Sequence, residues 1–231
     1  PVKVDIPEMK SRFLEAYHTR YKRPVKDYVI ASLEALAPIM AVAPGLFNAL
    51  QSIPPMPWIF KRLIGLTDLP KLDRKGLKSA LRKRGIARFK QADLDALTPA
   101  QKAKAVIIVQ DCFTTHYDTD VVLAHVDLLQ TLGYRVFVPP YRANGKAMHV
   151  KGFLKKFDYL AQQNDIVYGK IAASGIAMVG IEASVTLTYR QEYAQRLHDR
   201  PDYRVHLFHE WLSTEITEGR VTPPKMDNGV N

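Results

Sequence analysis

The feature that most constrains this chain is a rhythm that begins at Lys104. Four short apolar runs, AVIIV (105–109), YRVFV (134–138), IAMVGI (176–181) and YRVHLF (203–208), alternate with stretches of helical periodicity. Runs this apolar fit strands buried on both faces, as in a parallel sheet. After the first run, TDVVLAHVDLLQTLGY sets Val122, Val126, Leu129 and Leu132 on one helix face, with Gly133 at a left-handed C-cap position. Pro139-Pro140 stops the second run. Further helices are expected at roughly 149–163, over 185–198 and through HEWLSTEI. The order β-α-β-α-β-α-β-α with right-handed crossovers predicts an α/β fold: a small four-stranded parallel Rossmann-like sheet with helices on both faces. This unit covers 104–231, and a helical region covers 1–100.

In the helical region, IPEMKSRFLEAYHTRY places Pro7 in a first turn and Met9, Phe13, Leu14 and Tyr17 on one side. Pro24 suits the opening of a second helix, and Pro38 is expected to end or kink it. The following APGLFNALQSIPPMPWIF is too apolar for a free linker and predicts short helices and turns packed on a neighbouring surface. Glu15 and His18 have the spacing of a metal pair, but with no third ligand nearby they favour a surface ion pair.

The net charge of +10 invites a nucleic-acid reading, so its location matters. Residues 61–104 carry thirteen Lys and Arg against four Asp, a net of +9. Such a block predicts a basic linker or solvated helix face first. Peripheral contact with an anionic membrane surface or an acidic partner comes next, and specific nucleic-acid binding last, since no recognition motif accompanies the charge. No run of eighteen apolar residues appears, and the single cysteine fits a reducing cytoplasm rather than a disulfide framework.

In a parallel sheet the carboxyl ends of all strands face one edge, where sites form. Four segments are expected there: Asp111–His116, Pro139–His149, Glu182–Thr186 and the neighbourhood of His209. The first turn, QDCFTTH, has no glycine to let a pyrophosphate approach, which argues against NAD and ATP. A G-x-S-x-G elbow and an H-E-x-x-H pair are absent too. Cys112 reads first as a core-edge residue. The alternatives are a metal site using Cys112 with His116, His149 or His209, and a redox-active or nucleophilic thiol. Asn144, Lys146, His149 and Thr114 could line a pocket for a small anion or metal, but Asn144-Gly145 fits turn chemistry better, with Lys146 facing solvent.

The same turns resemble those of the cysteine-rich CCG domains of FAD- and iron–sulfur-linked oxidoreductases. VQDCFTTH keeps the first cysteine as Cys112. VFVPPYRANGK has Ala143-Asn144-Gly145 where Cys-Cys-Gly would stand, and VGIEASVTLTYRQEY has Val185 in place of the next cysteine. The resemblance therefore implies a degenerate CCG domain, with Cys112, Ala143, Asn144 and Val185 at the former cluster positions and no cluster of its own. PVKVDIPEMKSRFLEAYHTRY is similar to the segment that follows a ferredoxin-like motif ending Cys-Pro, with Pro1 as that proline. Over the whole chain the pattern looks like the C-terminal part of large bacterial FAD-linked dehydrogenases of the D-lactate and D-2-hydroxyglutarate type. That likeness implies FAD and a [4Fe–4S] cluster elsewhere in a parent protein and none in this piece. It also implies a non-catalytic docking role, with the parent's flavin and ferredoxin-like domains, or a second subunit, as partners.

Overall fold

The computed structural model describes residues 5–64, 70–197 and 202–222. Pro1, read as the residue after a cluster motif, lies outside the described residues, as does part of the basic block (65–69).

Helices α1 (Ile6–Arg20) and α2 (Val25–Met40) open the chain. Asp5 caps α1 by accepting from the Glu8 N–H at 3.0 Å, and Pro7 sits in the first turn, where a missing N–H costs nothing. In α2 the helix does not end at Pro38 but continues through it to Met40. A helical proline strands the carbonyl four residues earlier. That carbonyl belongs to Glu34, and the Tyr141 hydroxyl donates to it at 2.9 Å. A residue from the distant half of the chain thus repairs the break.

Two short helices follow, α3 (Pro44–Ser52) and α4 (Met56–Ile59), with a π-helical turn at Phe60–Ile64. The stretch read as a basic linker or solvated helix face is folded where it is described, into α5 (Leu77–Lys83), α6 (Gln91–Asp95) and α7 (Pro99–Ala103). Its leucines explain this. Leu77 and Leu81 are buried against one face of the sheet, Leu94 and Leu97 against the other, while Lys78, Arg82 and Lys83 stay outside.

The sheet consists of β1 (Ala105–Val109), β2 (Arg135–Phe137), β3 (Ala177–Gly180) and β4 (Val205–Leu207), all parallel in the order β2-β1-β3-β4. Ile107 of central β1 stands opposite Phe137 on one side and Met178 on the other. Alternation divides β1 between two cores. Val106 and Ile108 pack with α9 (Thr119–Thr131) and α14 (Phe208–Thr217). Ala105, Ile107 and Val109 pack with α11 (Leu154–Ala172), α12 (Ala183–Arg190) and α13 (Glu192–Arg196).

Three boundaries differ from the sequence reading. The turn holding Cys112 is itself helical, α8 (Cys112–His116). The helix expected at 149–163 is two, α10 (Lys146–Val150) and α11, separated at Gly152 with φ +67°. The one expected over 185–198 divides into α12 and α13.

The N-terminal helices grip the α10 segment through three buried acids. Glu8 meets His149 Nε2 at 2.8 Å, Asp27 meets Lys151 Nζ at 2.8 Å, and Glu34 accepts from the Gly145 N–H at 2.8 Å. Arg23 adds a bond to the Gly152 carbonyl at 3.1 Å, with its guanidinium 3.9 Å from the Phe153 ring centre. At Gly152 the contact is backbone to backbone. A Cβ there would lie 2.8 Å from the Ser11 oxygen, the Leu14 Cβ and the Glu15 nitrogen.

Candidate functional site

With the order β2-β1-β3-β4, the chain reverses direction across the sheet between β1 and β3, and the crevice at their carboxyl ends is where α/β sheets bind ligands. A cavity of about 240 Å³ opens there. Its walls come from α2 (Leu33, Glu34), from Asp111 and Cys112 after β1, from Asn144 after β2 and from Val185 after β3. Cys112, Asn144 and Val185, three of the positions singled out by the resemblance, therefore share one cavity.

Each turn is fixed locally. Asp111 caps α8 by accepting from the N–H groups of Phe113 (2.8 Å) and Thr114 (2.9 Å), and the Thr114 hydroxyl donates to its other oxygen. That cap places Cys112 in the first turn, facing inward and only 6% exposed. Burial pushes its thiol up to about 12; a Tyr141 hydrogen bond opposes the rise, and the Glu34 and Asp111 charges add to it. The thiol is protonated at neutral pH, a poor nucleophile and a poor metal ligand. After β3, Glu182 caps α12 through the Val185 N–H at 2.6 Å.

In the turn after β2, Gly145 has φ +83°, and a Cβ would sit 2.8 Å from the Phe157 ring, so only glycine fits. The backbone N–H groups of Gly145 (2.8 Å) and Ala147 (3.4 Å) point at the Glu34 carboxylate. Burial raises the pKa of Glu34 against these hydrogen bonds, with nearby Asp111 adding to the rise. The seat that an anion would take at this turn is filled by the protein's own side chain. Lys146, expected to face solvent, is mostly buried and ion-paired with Glu192. Arg142 is held by the Asn164 amide oxygen at 2.7 Å.

The four residues considered for a metal take separate roles. His116 packs edge-on against Tyr141 at 4.9 Å, and burial lowers its pKa despite the Asp111 charge. His149 is fully buried away from the cavity, with Nε2 on Glu8 and Nδ1 3.4 Å from the Ser11 hydroxyl. His209 is exposed on α14. Among the described residues, no group of three or more His, Cys, Asp or Glu is placed to hold a metal ion. The pocket composition inferred from sequence also needs correction, because Asn144 and Lys146 line the cavity whereas His149 and Thr114 do not. Both are drawn off by other partners, His149 by distant Glu8 of α1 and Thr114 by neighbouring Asp111.

Sequence reasoning missed Glu34, Tyr141 and Arg142. A signal existed for the first: Asp27, Ala31, Glu34 and Ala37 recur at helical spacing and form the buried stripe of α2. Small residues interleaved with acids on one face mark a helix pressed against backbone donors rather than against an apolar core.

Proteins named D-2-hydroxyglutarate dehydrogenase match almost the whole chain. The one from Pantoea ananatis is 41% identical over 222 residues, covering 96% of this chain and 22% of its own length. Those from Pseudomonas putida (38% over 224 residues) and Escherichia coli (39% over 217 residues) cover 97% and 94% of this chain and 22% and 21% of themselves. The chain is homologous to the C-terminal part of these dehydrogenases. It spans about a fifth of the length of the curated relatives it matches. No protein-family model and no solved structure matches it. Among the described residues, no helix is long and apolar enough to cross a membrane.

Proposed function

We propose that this chain is the docking portion of a longer oxidoreductase that converts a D-2-hydroxy acid to a 2-oxo acid. In this proposal FAD and a [4Fe–4S] cluster reside elsewhere in that protein, and the α/β unit is a CCG domain whose cluster has been lost. The observation that carries it is identity sustained over 94–97% of the chain with proteins named D-2-hydroxyglutarate dehydrogenase. The local chemistry agrees. Of the three cavity positions that the resemblance marks, one holds a protonated thiol, one a valine, and one an asparagine whose Oδ1 accepts from the Lys146 N–H at 2.8 Å.

Partner domains would seat on the outer face of α1, where Phe13, Tyr17 and Tyr21 are exposed and stacked at 5.8 and 4.6 Å. Aromatic side chains present large contact area at low entropic cost, as interface anchors do. The rival reading, an anion-binding module at the carboxyl edge, fits less well. Glu34 occupies the backbone donors, Glu192 neutralises Lys146, and two acids line the cavity.

The test uses the longer protein, purified without oxygen. Flavin and iron–sulfur absorbance with preferential dye reduction by one D-2-hydroxy acid is expected. Cys112→Ser should leave the rate within about twofold, since a buried protonated thiol takes no part in electron transfer. A colourless protein, or loss of activity in a folded Cys112→Ser variant, would remove the proposal.

A further inference from the structure

Helix α3 is inside out. The one residue it buries is polar, Asn48, whose amide donates to the Leu72 carbonyl at 2.8 Å and accepts from the Leu72 N–H at 2.9 Å. Leu46 and Leu50 of the helix and several apolar neighbours face outward, while Phe47 is half-buried. Val42 is 84% exposed, Leu46 64% and Trp58 61%, and Leu50 and Ile53 are exposed as well. An outward apolar surface of this kind, on a helix held down by a buried amide, marks a binding face.

Its charge pattern says what it meets. No acidic residue occurs between Glu34 and Asp68. The apolar face ends in Lys61 and Arg62, with the Arg62 guanidinium 5.6 Å from the Trp58 ring centre. The Asn48–Leu72 bonds then set α3 beside the start of the basic block. There Lys71, Arg74, Lys78, Arg82 and Lys83 are exposed, and among the described residues none of these five, nor Lys61 or Arg62, is in an ion pair. The exposed aromatic face of α1 differs, because Arg12 beside it is ion-paired with Glu8 at 2.6 Å. An acid-free apolar face with tryptophan and an adjoining field of exposed cations, most of them without an ion pair among the described residues, is the pattern of an element lying in a bilayer interface.

We infer that the outward face of residues 42–62, with the exposed cations of 61–83, docks on an anionic lipid surface. Apolar side chains enter the headgroup boundary, and the cations meet lipid phosphates. This surface is separate from the carboxyl-edge cavity and does not depend on the dehydrogenase reading.

The test mixes the 231-residue chain with vesicles of phosphatidylcholine, alone or with about 30% phosphatidylglycerol, and follows sedimentation and tryptophan emission. The second tryptophan, Trp211, is buried, so a spectral shift reports Trp58. Binding to the anionic vesicles is expected. It should weaken about tenfold or more in the Leu46→Ser/Leu50→Ser variant, in Lys61→Glu/Arg62→Glu, and when salt rises from about 0.1 to about 0.5 M. All four side chains are exposed, so the variants should fold, which far-ultraviolet circular dichroism checks. Failure to bind at low salt, or binding that ignores these variants, overturns the inference. Self-association abolished by Leu46→Ser/Leu50→Ser, without vesicle binding, assigns the face to a second copy and overturns it too. Vesicle binding by this chain that disappears in the longer protein would mark an interdomain contact instead, and would likewise overturn it.

Discussion

Replacing Gly152 with alanine should loosen α1 from the α/β unit, and a matched control separates the two causes. Gly152 and Gly133 both hold left-handed backbone, at φ +67° and +81°. An alanine in that region costs about 1–2 kcal/mol at either site. At Gly133 nothing lies within 4 Å of the added methyl, so that is the whole cost. At Gly152 the methyl would stand 2.8 Å from three atoms of α1, two of them backbone. Backbone in a helix cannot yield locally. The helix must lift as a body, which strains the Glu8–His149 and Arg23–Gly152 contacts on either side. Overpacking of this kind adds about 1–3 kcal/mol, for a total of about 2–5 kcal/mol. Urea denaturation of both variants at neutral pH measures the difference, and amide hydrogen exchange shows whether α1 opens first. Equal losses at the two sites, within about 0.5 kcal/mol, would show that α1 does not rest on this corner.

Three further outcomes are expected. Glu34 has a raised pKa, so it stabilises the fold less as pH rises from the unfolded carboxyl's ordinary 4.5 through its higher folded value. Glu34→Gln should therefore compare better with the parent chain at pH 7 than at pH 5, and an equal difference at both would contradict the burial argument. Cys112, pushed from 9.0 to about 12, should have roughly a thousandfold less thiolate at pH 8 than an unperturbed thiol. Its labelling by a disulfide reagent should slow to match, and a rate within tenfold of a free cysteine would refute this. Asn48→Ala orphans both backbone groups of buried Leu72, so unfolding should become easier by about 2–4 kcal/mol and proteolysis near residues 42–62 faster.

The sheet was legible because its four runs are rich in apolar residues and alternate with helical stretches, and β1 is buried along its whole length. That the turns after β1, β2 and β3 converge was legible for the same reason, since strand ends fix them, although the side chains lining the cavity were not. What misled was charge. In 77–97 the lysines and arginines outnumber the leucines that decide the fold, yet Leu77 and Leu81, spaced for one helix face, are buried. The fate of His149 was hidden differently. Nothing near it in sequence says that Glu8 and Ser11 will occupy its ring, because long-range pairing of polar groups leaves no local period. Gly152, by contrast, left a trace: a glycine inside a helical pattern often marks a close approach.

The grip of α1 and α2 on the α10 segment has a consequence for how the chain is made. Glu8 lies 141 residues from His149, and Glu34 lies 111 from Gly145. A ribosome delivers both helices well before their partners exist, with Tyr28 and three acids awaiting contacts still to be synthesised. Closing loops of this length is slow, so the helices complete the structure last. For that interval the nascent chain leaves the inner faces of both helices uncovered, which makes this the stage where a chaperone would act.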